Sequence, residues 1–153
     1  MDMNHGIKAA ELFLQGYNCA QAIAVAFSDV LELDETFCAR SVSAFGGGMG
    51  RLREVCGAVS GMFFVISHLY GYDCPDDGQG KKDTYALVQQ LAGEFQERNG
   101  SIICREILKN PPSDPNPTPR TEAFYRERPC ARMVLTAGEI LDRYIAENPP
   151  KKR

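Results

Sequence analysis

The spacing of hydrophobic residues predicts helices along almost the whole chain. Apolar residues recur at helical spacing over 7–15, 20–33, 34–45, 54–70, 81–98 and 131–146, with one further short segment around Cys104. No stretch alternates apolar and polar residues over the length of a strand. We therefore predict an all-α fold, a bundle of about six helices.

Two segments should interrupt this helical pattern. Closely spaced prolines make 110–119 an extended surface connection, because proline fits neither a helix interior nor a strand ladder. The glycine run 46–50 cannot hold a stable helix. It is similar to an anion-binding loop, but it lacks the Lys-Ser/Thr of a nucleotide-binding P-loop and no strand precedes it. We interpret it as a tight turn that delivers Cys56.

Size and charge narrow the class of protein. A chain of 153 residues is the length of one domain, so we predict a single helical domain over 1–148 and a polar tail over 149–153. A net charge of -3 does not indicate the basic surface that is typical of nucleic-acid-binding proteins. The most apolar run, 55–70, is too short to span a bilayer comfortably. Residues 1–5 form no export signal, and we expect His5 to lie in a frayed terminus.

The six cysteines give the first indication of a specific function. We expect a cytoplasmic location, where thiols stay reduced and serve metal binding or redox chemistry more often than structural disulfides. Four of them fall where the sequence predicts the first turn of a helix: Cys19, Cys56, Cys104 and Cys130. Asn18 and Ser101 are the predicted caps of two of these helices, and Pro129 suits the first position of the last. A helix N-terminus favours thiolate over thiol, so this placement suggests chemistry. Cys38 and Cys74 lie outside the pattern, and we expect both to be inert.

Two glycines mark the helix that follows Cys56. Gly57 and Gly61 lie four residues apart and therefore share a helix face. Without side chains, they would let another backbone or a cofactor approach the helix beside Cys56. Tight helix packing is the simpler explanation, and a cofactor-binding role for both glycines is the alternative.

These motifs together resemble a known family. The carriers are Gly16-Tyr17-Asn18-Cys19-Ala20-Gln21, Gly46-Gly47-Gly48-Met49-Gly50-Arg51, Cys56-Gly57-Ala58-Val59-Ser60-Gly61, and the later Cys104 and Cys130. The chain is similar to the C_GCAxxG_C_C family, small proteins with four cysteines and a CGAxxG motif for which redox activity is expected. The resemblance covers nearly the whole chain and implies that Cys19, Cys56, Cys104 and Cys130 are the family's four cysteines.

Two chemistries fit four such cysteines. In the first, all four bind one metal centre, preferably a 2Fe–2S or other iron–sulfur cluster, because all-thiolate ligation suits such clusters. Zinc is the poorer version, since no close pair such as CxxC is present. In the second, two cysteines cycle between dithiol and disulfide without a metal, and Cys19 with Cys56 is the first pair to consider.

The sequence thus predicts an oxidoreductase or electron carrier with a redox partner that it does not identify, no nucleic acid partner and no membrane insertion. A different class is a non-catalytic binding or assembly domain whose cysteines only pack the core. A homodimer is a hypothesis that rests only on the apolar faces of the short helices.

Overall fold

The computed structural model describes residues 4–151, and helices dominate this range. The ten α-helices are α1 (His5–Leu14), α2 (Cys19–Ala26), α3 (Ser28–Leu31), α4 (Glu35–Ser41), α5 (Gly46–Met49), α6 (Gly57–Tyr70), α7 (Gly78–Asn99), α8 (Cys104–Ile107), α9 (Glu122–Glu127) and α10 (Cys130–Glu147). A 3₁₀ helix spans Ser43–Phe45. The all-α prediction is confirmed for the described residues, but the number of about six helices is too low.

The extra helices come from backbone changes that hydrophobic spacing does not report. The predicted helix over 20–33 is divided at Phe27, and its second part ends at Glu32, which has a left-handed φ of 55°. The predicted helix over 54–70 begins only at Gly57. Residues 53–56 instead lie outside any helix and pair with 102–105 through an antiparallel bridge between Val55 and Ile103.

Helix α2 lies at the centre of the fold. It contacts α1, α4, α6 and α10, while α1 also packs along α10. Seven of the eight residues of α2 are apolar, and its fully buried Ile23 belongs to a core that includes Met62, Leu91 and Ile140. Burial of such side chains is the main favourable term in folding. The first turn of α2 is therefore held rigidly, and Cys19 lies in it.

His5 is buried and ordered, so the expectation of a frayed position is wrong. Only 7% of its surface is exposed, and its ring stacks on Phe27 with ring centroids 4.4 Å apart. Its Nδ1 lies 2.6 Å from a carboxylate oxygen of Asp142, and its Nε2 lies 3.1 Å from Asp29. Burial lowers the pKa of His5, but the hydrogen bonds to Asp142 and Asp29 outweigh burial and raise it.

We predict that His5→Gln destabilises the fold at pH 6 by about 2 kcal/mol, the usual contribution of hydrogen bonds to charged groups. The pKa of His5 is higher in the folded state than in the unfolded state, so this stabilisation is fully present below pH 6.5. It is lost as the pH rises through the folded-state pKa of His5. Urea unfolding at several pH values should therefore show the gap between the variant and the wild type closing on the alkaline side. His68→Gln, at an exposed position, is the control. A gap that widens with pH would contradict the prediction.

No helix within residues 4–151 is both long and apolar enough to cross a membrane. The predicted tail over 149–153 is described only as far as Lys151, and residues 1–3 of the N-terminal segment lie outside the described residues. The division into one domain and a tail stays a prediction.

Candidate functional site

The structure brings the four family-type cysteines to one end of the helix bundle. Cys19, Cys104 and Cys130 are the first residues of α2, α8 and α10, and Cys56 is the N-cap of α6. Their charges influence one another, since Cys130, Cys56 and Cys104 all raise the pKa of Cys19. Cys38 is buried within the core, and Cys74 is exposed. The prediction that four cysteines mark helix starts therefore agrees with the structure to within three residues.

Local sequence explains the position of Cys19. The side chain of Asn18 accepts a hydrogen bond from the backbone N–H of Gln21, and the side chain of Gln21 accepts one from the N–H of Asn18. This reciprocal capping box fixes the start of α2, as the predicted Asn18 cap requires. The Asn18 side chain also donates to the carbonyl of Ser43, so the turn before the glycine run is tied to the same helix end.

Cys56 and Cys104 are placed by pairing of extended backbone. The N–H of Cys56 donates to the carbonyl of Ile102 at 2.7 Å, and the N–H of Cys104 donates to the carbonyl of Glu54 at 2.6 Å. Ser101 does not cap α8, whose N-cap is Ile103; its hydroxyl instead accepts from the N–H of Ile103. The segment is therefore shorter and more extended than predicted.

Two glycines let the cysteine-bearing segments approach closely. A Cβ atom on Gly48 would lie 2.5 Å from the Cβ of Cys104, and one on Gly57 would lie 3.0 Å from the Cβ of Cys19. Gly48 also has a left-handed φ of 71°, which favours glycine. The glycine run thus forms the four-residue element α5, which left-handed φ values at Gly47 and Gly48 interrupt as a regular helix, and it packs against Cys104.

The face formed by Gly57 and Gly61 is occupied by α2. A Cβ on Gly61 would lie 3.0 Å from the carbonyl oxygen of Ala20, and one on Gly57 would lie 3.0 Å from the backbone nitrogen of Ala20. The contacts therefore match the packing explanation. A cofactor-binding role for Gly57 and Gly61 stays an untested prediction that these contacts do not support.

Cys19 and Cys130 form a hydrogen-bonded thiol pair. The hydrogen bond with Cys130 is the largest influence that raises the pKa of Cys19, and burial adds to it. The same hydrogen bond lowers the pKa of Cys130 to about 7, against the opposing effect of burial. Arg128, Arg120 and Arg53 lower it further. Cys130 is therefore the more acidic thiol of the pair, and Cys19 is the one that keeps its proton.

The other two cysteines differ from the low-pKa thiols expected at helix starts. Burial raises the pKa of Cys56 to about 12. Burial also raises the pKa of Cys104, although Arg53 opposes this through a contact of 3.6 Å between its Nη1 and the sulfur. Desolvation of a thiolate thus outweighs the favourable helix ends at these positions. The expectation of four activated thiols holds for Cys130 alone.

A pocket of about 270 Å³ opens onto the thiol pair. Its wall includes both sulfur-bearing residues and four arginines: Arg51, Arg53, Arg120 and Arg128. Arg51 and Arg53 follow the glycine run directly in the chain, whereas Arg120 and Arg128 are distant from it in sequence. The position of Arg128 two residues before Cys130 was the one available signal, because a cation there lies near a helix-start thiol.

The proline-rich segment covers this pocket. Pro115, Pro117 and Thr118 line it. Arg51 holds the segment by donating from Nε to the carbonyl of Asp114 at 2.6 Å and from Nη1 to the Thr118 hydroxyl at 2.9 Å. Arg53 donates from Nε to the carbonyl of Pro112 at 2.9 Å. The segment predicted as a surface connection is therefore part of the site.

The arrangement of the cysteines does not match a metal centre as it stands. Within the described residues, no group of three or more His, Cys, Asp and Glu side chains is placed to hold a metal ion. The chemistry of four thiolates suits a cluster, and Cys19, Cys56, Cys104 and Cys130 would be its ligands. We derive no step through a metal for this geometry.

The fold and the site define an all-α protein in which four cysteines at helix starts lie together at one end of the bundle. The chain belongs to the family described as "Putative redox-active protein (C_GCAxxG_C_C)", whose model matches residues 17–144. This family assignment confirms the resemblance seen in the sequence. The family's name places glycine before cysteine, whereas this chain has Cys56 before Gly57. No curated protein and no solved structure matches the chain.

Proposed function

We propose that the protein is a dithiol/disulfide oxidoreductase in which Cys130 attacks and Cys19 resolves. One observation carries the proposal: Cys19 and Cys130 form a hydrogen-bonded pair that lines an open pocket. A thiolate is the attacking species in thiol–disulfide exchange, and its best pKa lies near the ambient pH. The lowered pKa of Cys130, about 7, meets that requirement.

The reaction uses an external disulfide, R–S–S–R, as oxidant. The Cys130 thiolate attacks one of its sulfurs, forms a Cys130–S–R bond and releases the first R–S⁻. The Cys19 thiol then loses its proton and attacks the Cys130 sulfur, which forms the Cys19–Cys130 bond and releases the second R–S⁻. The protein loses two electrons and the external disulfide gains two. The two protons lost by the protein thiols balance the two taken up by the released thiolates.

The hydrogen bond helps both steps. Before the first step, it stabilises the charge on Cys130. Once Cys130 is bound to R, its charge is gone, and the largest influence that raised the pKa of Cys19 is removed with it. Cys19 also lies at the N-terminus of α2, where the helix dipole favours thiolate. The second attack therefore becomes easier after the first.

We expect oxidation of the reduced protein by hydroxyethyl disulfide to link Cys19 to Cys130. Peptide mapping by mass spectrometry without reductant identifies the linkage. Cys38→Ser and Cys74→Ser should form the same bond, because neither residue lines the pocket. Linkage of Cys19 to Cys56, the pair first considered from the sequence, would contradict the assignment of Cys130 as the attacking thiol. Oxidation without any bond to Cys130 would contradict the proposal and favour structural cysteines.

An iron–sulfur cluster on Cys19, Cys56, Cys104 and Cys130 is the alternative that family membership leaves compatible. Visible absorption of protein purified without oxygen separates the two chemistries. A broad charge-transfer band that bleaches with dithionite, and is lost in Cys56→Ser, would favour the cluster. The dithiol mechanism predicts no such band and full disulfide formation in Cys56→Ser. Zinc would be detected by metal analysis of the same samples.

A further inference from the structure

Arg53 is a buried cation with one unused donor. Only 4% of its surface is exposed, and its backbone has a left-handed φ of 62°. Its Nε donates to the carbonyl of Pro112, and its Nη1 contacts the sulfur of Cys104. Its Nη2 is buried and has no hydrogen-bond partner among the described residues. A buried donor without an acceptor costs free energy, so this cation is held in the pocket wall at a cost to stability.

The charge around Arg53 favours an anionic acceptor. Four guanidinium groups line the pocket, and none of its described lining residues is acidic. The nearest neutralisation is weak, since Nη2 of Arg51 lies 3.9 Å from a carboxylate oxygen of the exposed Asp114. Arg120 donates hydrogen bonds only to neutral acceptors, which are the carbonyls of Phe13 and Tyr17 and the Tyr125 hydroxyl. The pocket therefore keeps a net positive charge even when Cys130 is ionised, because four guanidinium groups face one thiolate.

Most of the rest of the pocket wall is apolar and suits the hydrocarbon part of a ligand better than it suits water. Its apolar residues are Phe13, Leu108, Pro115, Pro117 and Phe124. An inorganic oxyanion would use the arginines alone, whereas an organic anion would use both surfaces. A volume of about 270 Å³ is at the lower end of the range for small-molecule sites. The expected ligand is therefore small, with an apolar body and an anionic end.

We propose that this pocket binds a small disulfide that carries carboxylates, and that Arg53 and the neighbouring arginines of the wall hold one carboxylate. This substrate class rests on the proposed dithiol function. The planar guanidinium is the side chain best matched to a carboxylate, and a charge-assisted hydrogen bond is stronger than a neutral one. Binding the carboxylate at Arg53 holds the disulfide in the pocket that the Cys130 sulfur faces. Attack then follows the two steps given above, with the carboxylate-bearing thiols as the products.

Binding is tested separately from chemistry with suberate, in which methylene groups replace the sulfurs of dithiodipropionate. We expect calorimetry to detect suberate binding to the reduced full chain, with no binding of the neutral octanediol. Arg53→Gln should weaken suberate binding about tenfold, the effect of losing one charge-assisted hydrogen bond. Arg128→Gln, which removes a cation that packs on Phe124, is a second variant in case Arg53→Gln fails to fold. Arg132→Gln removes the same charge from an exposed position outside the pocket wall and should bind like the wild type.

The redox measurement compares dithiodipropionate with neutral hydroxyethyl disulfide. We expect the anionic disulfide to oxidise Cys130 at least about tenfold faster, because a positively lined cleft concentrates anions. Equal rates together with no suberate binding would overturn the carboxylate proposal and leave the dithiol function intact. Suberate binding that depends on Arg53, with no disulfide formed by either reagent, would retain the anion site and overturn the dithiol function. Inorganic phosphate that displaces suberate with equal or greater affinity would show an oxyanion site and overturn the substrate class.

Discussion

Cys19→Ala should raise the midpoint of Cys130 ionisation from about 7 toward the value of about 8.5 for a free cysteine. The hydrogen bond from Cys19 is the largest influence that stabilises the Cys130 thiolate, and alanine cannot donate it. Arg128, Arg120 and Arg53 remain, so the midpoint should stay somewhat below that of the free residue. The variant should also lose the intramolecular disulfide entirely, and its oxidation should stop at a mixed disulfide on Cys130.

The midpoint is measured from the ultraviolet absorbance of the thiolate as a function of pH, with alkylation by iodoacetamide and mass spectrometry to assign it to Cys130. Cys38→Ala is the matched control, because it removes a buried thiol that does not line the pocket. It should leave both the midpoint and the Cys19–Cys130 bond unchanged. A midpoint that stays near 7 in Cys19→Ala would show that the arginines and the α10 terminus stabilise Cys130 without its thiol partner.

The sequence could predict which segments start helices at cysteines, because caps are local. Asn18 with Gln21 and Pro129 next to Cys130 are signals within a few residues, and both mark real helix starts. The cap predicted at Ser101 failed because residues 102–105 pair with 53–56, more than forty residues away. Such long-range pairing leaves no trace in the periodicity of either segment.

The identity of the thiol pair was also beyond the sequence. Cys19 and Cys130 are far apart in the chain, and they meet because α2 packs against both α6 and α10. The helix-end argument also predicted a lowered pKa for all four cysteines, but burial raises the pKa of Cys56 and Cys104, and the hydrogen bond with Cys130 together with burial raises that of Cys19. Burial depends on the whole fold, whereas a helix end depends on a few residues. The sequence therefore indicated candidate cysteines but could not rank them.

Arg53 and the proline-rich segment have complementary hydrogen-bonding groups. The polar side of Arg53 needs acceptors, and the proline-rich segment supplies one through the Pro112 carbonyl. A segment with closely spaced prolines keeps carbonyls while losing N–H donors, so it suits a wall made of arginines. Arg51 uses the same segment through Asp114 and Thr118. Two of the four arginines that set the charge of the pocket, Arg51 and Arg53, thus also hold the proline-rich segment in place.

Gly48→Ala should destabilise the fold by about 2–4 kcal/mol, and Gly50→Ala by only about 1 kcal/mol. Both glycines have a left-handed φ, 71° at Gly48 and 62° at Gly50, so an added Cβ causes similar backbone strain at each. The two positions differ in the room that is available for an added Cβ atom. The Cβ on Gly48 would lie 2.5 Å from the Cβ of Cys104 and 2.9 Å from the Cα of Arg53, whereas the one on Gly50 meets only the Ala44 carbonyl, at 3.7 Å.

The difference between the two variants therefore measures how tightly the glycine turn packs against the segments that carry Cys104 and Arg53. Urea unfolding of both variants and the wild type at one pH gives that difference. Gly48→Ala should also weaken suberate binding, since relief of the contact moves the backbone of Arg53, and Gly50→Ala should not. Equal losses of stability would mean that the turn is selected for its backbone conformation alone. The glycine run would then be a hinge between helices rather than the packed support of the cysteine site.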